Sequence, residues 1–255
     1  MHILSTLSII AALGFGITRV SAALLAYDGI DYPAGSIVGQ SGGFGFVNAW
    51  SPQTAYNGGL NGATVVTSSL GYSGLAVSGG AIEALPNYEF ADREFFDPGQ
   101  STGIYYLSFL IAKGPTAASG GYGGLSFWGA NNGGEQEFFG FDNINNVRHN
   151  DTGPITPMST LPFSATLLVY KFDLGDGAYS LYVNPIVGDP EPTPNGIFSG
   201  PRSLEAIGLN SEGGFLLDEI RLGNTFADVT PAPVPEPTSL SLLGLGLLAF
   251  RRHRR

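Results

Sequence analysis

Closely spaced carboxylates are the side chains of this 255-residue chain best suited to chemistry. Glycosidic hydrolysis uses two of them, about 5–5.5 Å apart for retention or about 6.5–9.5 Å apart for inversion. Glu135-Gln136-Glu137 puts two acids on one side of a regular strand, about 6.6 Å apart along the backbone. They read either as a catalytic pair or as solvated acids at a sheet edge. Glu89, Asp92 and Glu94 form the other acidic stretch, but a regular strand turns Glu89 away from Asp92 and Glu94, so convergence requires a bulge. Asp218 and Glu219 are neighbours and face opposite ways on a regular strand, whereas the spacing of Glu219 and Arg221 puts them on one face and allows them to pair.

Metal binding is the second chemistry on offer. Asp142, Asn143, Asn145 and Asp151, with Asn146, His149 and Asn150 between and beside them, supply the oxygen ligands that Ca²⁺ accepts in loops. The same residue types also build turns, so calcium and plain turn chemistry both fit. No other cofactor is indicated. A Ser-His-Asp triad is poorly supported, because His149 is the only histidine outside the two tails. Trp50 and Trp128 offer flat surfaces for stacking on sugar rings, with Trp128 the better placed; buried core positions are the ordinary alternative for both.

The elements that would hold these residues are strands. Ile104–Ala112 alternates Tyr105, Leu107, Phe109 and Ile111 on one face with Tyr106, Ser108 and Leu110 on the other. Residues 165–174 and 178–183 flank Gly175-Asp176-Gly177 and read as a hairpin, since glycine permits the positive φ of a tight turn. Phe215–Leu222 is a further strand, and no convincing amphipathic helix follows residue 22. The 38 glycines fall in clusters that no Walker lysine follows, so they are turns and bulges rather than phosphate loops.

Composition narrows the partners. Charged residues are only 13% of the chain, and between residues 23 and 235 there are 6 basic against 20 acidic side chains, a body charge of about −14. Nucleic acid is therefore excluded as a partner, because phosphate binding needs clustered Lys and Arg. Cysteine is absent, which removes disulfides, thiolate metal sites and thiol nucleophiles together.

Both ends look like addresses. An apolar run from Met1 to Ile17 leads to Val20-Ser21-Ala22, the form of a secretory signal peptide cleaved after Ala22. At the other end the 13 residues Thr238 to Phe250 would make a helix of about 20 Å, short against a bilayer core of about 30 Å. Arg251, Arg252, Arg254 and Arg255 follow and would hold that end on the cytoplasmic side. Residues 230–237, rich in proline, read as an extended linker.

Pro235-Glu236-Pro237, the Leu/Gly-rich segment and the arginine run together resemble a PEP-CTERM sorting tail. That resemblance implies export from a Gram-negative bacterium through the secretion translocon and transient insertion of residues 238–255 in the inner membrane. It further implies cleavage near the motif by exosortase, a transpeptidase-like membrane enzyme, and association with the cell surface or extracellular polysaccharide. Residues 25–36, 42–46 and Trp50, with 215–229, resemble the opening and closing strands of concanavalin A-like lectin/glucanase domains. This second resemblance implies an all-β, antiparallel two-sheet jelly-roll sandwich over residues 23–229.

The function expected from these readings is a non-enzymatic, surface-sorted sandwich associated with extracellular polysaccharide, with glycan binding as one form of that association. A secreted glycoside hydrolase using Glu135 and Glu137 is the alternative. A purely structural matrix component is the third.

Overall fold

The structure is a computed structural model and describes residues 24–52, 63–89, 91–95, 100–115, 121–128, 135–142, 146–149, 155–157, 163–200 and 203–231. The expected signal segment 1–22, the expected linker from Ala232, the sorting segment, and Asn143, Asn145, Asn150 and Asp151 lie outside the described residues.

The strands, in chain order, are β1 (Leu24–Asp28), β2 (Gly35–Ser36), β3 (Ser51–Pro52), β4 (Thr64–Val66), β5 (Ala81–Glu89), β6 (Ala91–Glu94), β7 (Ile104–Lys113) and β8 (Gly123–Trp128). They continue as β9 (Glu135–Phe141), β10 (Asn146–His149), β11 (Thr156–Pro157), β12 (Thr166–Asp173), β13 (Ala178–Val183), β14 (Gly196–Ser199) and β15 (Ala206–Gly223). Helix among the described residues is the single turn α1 (Phe226–Val229). The chain is thus the all-β antiparallel sandwich that the concanavalin A-like resemblance implies. The two layers, however, are parts of one connected sheet.

β15 makes that connection. Its first half, Ala206 to Ser211, pairs with β8 on one side and β6 on the other. Its second half pairs with β7 on the first side and with β5 and β1 on the second. Beyond β8 the order runs β9, β10, β11; beyond β7 it runs β12, β13, β14. The two wings fold face to face, with Phe139 and Tyr170 ring centroids 4.4 Å apart and Phe127 and Phe172 5.0 Å apart.

The corner lies at Ser211–Gly214. The register against β5 slips there, and Gly214 takes φ 78°. Amide groups displaced by the slip find other partners: Glu212 and Gly213 N–H both donate to Tyr122 O, and Gly214 N–H donates to the Ser211 hydroxyl. Gly121 and Gly213 meet backbone to backbone, since a Cβ on Gly121 would lie 2.2 Å from Gly213 Cα.

The predicted faces of β7 are observed. Leu107, Phe109 and Ile111 enter the inter-layer core, while Tyr106, Leu110 and Ala112 join a second apolar cluster on the outside of that layer. Leu70 and Leu75 from the connection between β4 and β5 cover this outer cluster, as do Phe226 and Val229 of α1. The predicted hairpin is β12–β13, with Gly177 at φ 61°. The predicted terminal strand is longer than 215–222 because the bend lets it serve in both layers.

The corner gives a sharp test. Gly121→Ala has no room against Gly213 and is expected to cost about 2–3 kcal/mol, lowering the melting temperature by roughly 4–12 °C. Gly71→Ala meets nothing within 4 Å and serves as the neutral control. Equal melting temperatures for the two variants would exclude the corner as a close-packed joint.

Candidate functional site

The acids of β9 do not converge. Trp128 pairs with Glu135 while the preceding Phe127 pairs with Glu137, so Gln136 is the extra residue of a β-bulge. Consecutive residues of β8 face opposite ways, and so, therefore, do Glu135 and Glu137. Glu137 is buried on the inner face with Phe139 and Phe141; its charge adds to burial in lifting the Tyr170 hydroxyl well above its ordinary range. Glu135 stays exposed on the outer face, where it accepts hydrogen bonds from the Ser126 hydroxyl and from Asn210 Nδ2 at 2.8 Å. The expectation that Glu135 and Glu137 share one side of the strand is corrected by this bulge: the two stand on opposite sides of the sheet.

Trp128 shares the outer face with Glu135 but is only 1% exposed. Its indole lies across β15, such that a Cβ on Gly208 would come 2.3 Å from Nε1. It therefore presents no stacking surface to a sugar, a second correction. Trp50 is equally buried and donates through Nε1 to Asp28 at 3.2 Å. Asp92 and Glu94 pair with Gly208 and Ala206, in line with Ser126 and Trp128, while Glu89 pairs with Ser211. Asp92 accepts from the Ser51 hydroxyl at 2.9 Å, and burial holds its carboxyl above the ordinary value. Asp92 is thus held by Ser51 of β3.

Asp142 closes the β9–β10 turn, its Oδ1 accepting from Asn146 N–H at 2.9 Å. That is the turn chemistry weighed above; the other calcium candidates lie outside the described residues. His149 occupies the register position opposite Phe139.

Asp218 and Glu219 differ from expectation in an informative way. The register against β7 jumps from Asp218–Leu110 to Arg221–Ser108, and Glu219 sits at φ 56° in a second bulge. Both acids consequently reach the same loop, residues 67–80. Asp218 accepts from the Ser69 hydroxyl at 2.6 Å and Leu70 N–H at 2.8 Å, while Glu219 accepts from Ser78 N–H and the Tyr27 hydroxyl. Arg221 donates to Glu219, as its spacing allows, and to Ala76 O at 2.7 Å. Three side chains of one strand therefore fasten the loop that covers the outer apolar cluster. A second buried ion pair, Arg93–Asp28 at 2.7 Å, fastens residues 42–48 through Gly42 O and Asn48 O.

An open concavity lies elsewhere, at one end of the sandwich. A cavity of about 260 Å³ is lined by Leu25, Phe95, Gln100, Tyr105, Leu222 and Asn224, among others. Apolar walls with a phenol and two amides suit a small neutral, hydroxyl-rich ligand. The Tyr105 hydroxyl donates to Gln100 Oε1 at 3.1 Å. Sequence reading missed this site because its lining comes from five separated stretches. Tyr105, on the inner face of β7 with Leu107 and Phe109, gave no local signal of a cavity.

The class defined by these features is an all-β sandwich carrying a C-terminal sorting tail. Residues 233–255 match the PEP-CTERM protein-sorting motif, which marks the chain for export, processing by the membrane enzyme exosortase and surface sorting. No curated protein sequence matches the chain. Among solved structures, the globular domain of T. cruzi calreticulin is similar at 15% identity and TM-score 0.43, over 69% of this chain and 85% of that one. A Trypanosoma rangeli sialidase bound to 2,3-difluorosialic acid is similar at 10% identity and TM-score 0.44, over 83% of this chain but 33% of the sialidase. The alginate lyase from a Corynebacterium species gives 10% and 0.40, over 56% and 76%. Likeness at this level assigns no activity. Among the described residues no helix is long and apolar enough to cross a membrane.

The loop fastening carries a pH signature. Burial lifts the Asp218 carboxyl from 3.8 to about 7; hydrogen bonds from Ser69 and Leu70 oppose the rise and the charge of Glu219 adds to it. A raised folded value means that the native state holds the extra proton, so this contribution to stability is complete below about pH 4 and lost as pH climbs through 7. In melts from pH 4 to 8, the unsubstituted protein is expected to lose up to ~4 kcal/mol relative to Asp218→Asn. Parallel pH profiles would exclude the buried acid as the cause.

Proposed function

We propose that the protein is an exported, surface-sorted, non-enzymatic sandwich that associates with extracellular polysaccharide and takes a sugar unit in the end cavity. The observation that carries this reading is the sorting motif at residues 233–255, joined to an acidic body without cysteine. The divergence of Glu135 and Glu137 supports the non-enzymatic part, because carboxyls on opposite sides of a sheet cannot flank one glycosidic bond. The end cavity supports the binding part through the Tyr105 ring and the Gln100 and Asn224 amides. A body charge of about −14 repels polyanions, which favours neutral glycans over uronate-rich ones.

Mass spectrometry of the mature protein from its native cells tests the sorting: loss of residues 1–22 and of the arginine tail is expected, and persistence of the tail would sink it. Retention on the native polysaccharide tests the binding. Tyr105→Ala is expected to weaken retention about tenfold, the loss of one stacking and hydrogen-bonding side chain, while Glu135→Gln and Glu137→Gln retain it. Release of reducing ends that disappears in the two Gln variants would reverse the reading in favour of a hydrolase. Absence of saturable binding would leave a purely structural matrix role.

A further inference from the structure

The tetrapeptide that opens the sorting segment, Pro235-Glu236-Pro237-Thr238, occurs a second time inside the body as Pro190-Glu191-Pro192-Thr193. The internal copy has a receptor. Lys171 pairs with Tyr106 across β12 and β7, and Tyr182 stands on β13, so all three present side chains to the outside of this layer. Tyr106 donates its hydroxyl to Glu191 Oε2 at 2.8 Å, Lys171 Nζ donates to Oε1 at 3.0 Å, and the Tyr182 hydroxyl donates to the same Oε1. Burial pushes the Glu191 carboxyl up, but the three donors outweigh it and hold the group below its usual value. The clamp is reachable, since Lys171 and Glu191 side chains each keep 30% exposure. A hollow of about 320 Å³ lies beside it, lined by Tyr182, Pro185, Pro190, Pro192 and Thr193 among others.

The chain leaves the body at the same place. Gly188 N–H donates to Thr230 O at 3.1 Å, and Gly188 is three residues from Glu191. Three residues span at most about 11 Å, and the six from Thr230 to Glu236 reach roughly 20 Å. The tail can thus bring its own carboxylate to the clamp while the body stays fixed. So short a tether gives an effective concentration on the order of millimolar.

We propose that the Tyr106–Lys171–Tyr182 clamp is a docking site for the sorting tail, on which Pro235–Thr238 exchanges with Pro190–Thr193. The two occupants present the same carboxylate between the same prolines, so the three donors of the clamp do not distinguish them. While docked, the tail's Pro-Glu-Pro is withheld from the processing enzyme; when the internal copy closes, the tail is released. This inference rests on the sorting motif and is independent of glycan binding.

Absence of cysteine makes the test clean, because Val234→Cys supplies the only thiol in the full-length chain. Its rate of reaction with a maleimide, in detergent, reads whether the linker is docked. Glu191→Gln weakens the internal competitor and is expected to slow labelling at least fivefold relative to the chain carrying both Glu191→Gln and Glu236→Gln. Adding Lys171→Met to the Glu191→Gln chain is expected to restore the fast rate; if that chain fails to fold by circular dichroism, Tyr106→Phe with Tyr182→Phe replaces it. Rates within twofold of one another across the set would overturn the proposal. So would slowing that grows with protein concentration, which assigns the clamp to the tail of a second copy.

Discussion

A single strand that belongs to both layers is the constraint on which the molecule depends. β15 changes hydrogen-bonding partners halfway along, from β8 and β6 to β7, β5 and β1, and must bend to do so. The bend is possible because Gly121 and Gly213 approach with no side chain between them, and because Tyr122 O and the Ser211 hydroxyl replace the ladder partners that the slip removes. Once the strand turns, the aromatic faces of β8–β9 and β12 close on each other.

Two cations of the body, Arg93 and Arg221, serve structure. Arg93 is buried against Asp28 and gathers residues 42–48; Arg221 is buried against Glu219 and gathers the loop at 76. Desolvation makes such pairs costly to break, about 3–5 kcal/mol when one partner is removed. With these charges neutralised inside, little positive potential remains to balance the acidic exterior. The acidic body therefore repels polyanions, and the terminal arginines belong to the sorting segment instead.

Legibility was uneven for reasons that particular residues make plain. The faces of β7 and the β12–β13 hairpin were readable, because alternation and a glycine turn are local signals. The Glu219–Arg221 pair was also readable from spacing, although the bulge at Glu219 was not. Glu135 and Glu137 misled because a bulge arises from how two strands share hydrogen bonds, and the residue inserted, Gln136, has no special chemistry of its own. Trp128 misled because burial depends on Gly208, 80 positions away, leaving space for an indole.

Sequence alone determined the strand-rich class, the acidic and thiol-free character, and the sorting tail at 233–255, since composition, periodicity and a contiguous motif are properties of the chain before it folds. Tertiary structure alone decided which acids meet, which aromatics are covered, where a cavity opens and that Thr230 ends beside Gly188. The division has one physical cause. Alternation is enforced residue by residue through backbone sterics, whereas a site is assembled from strands whose register and bulges are settled only when their distant partners arrive.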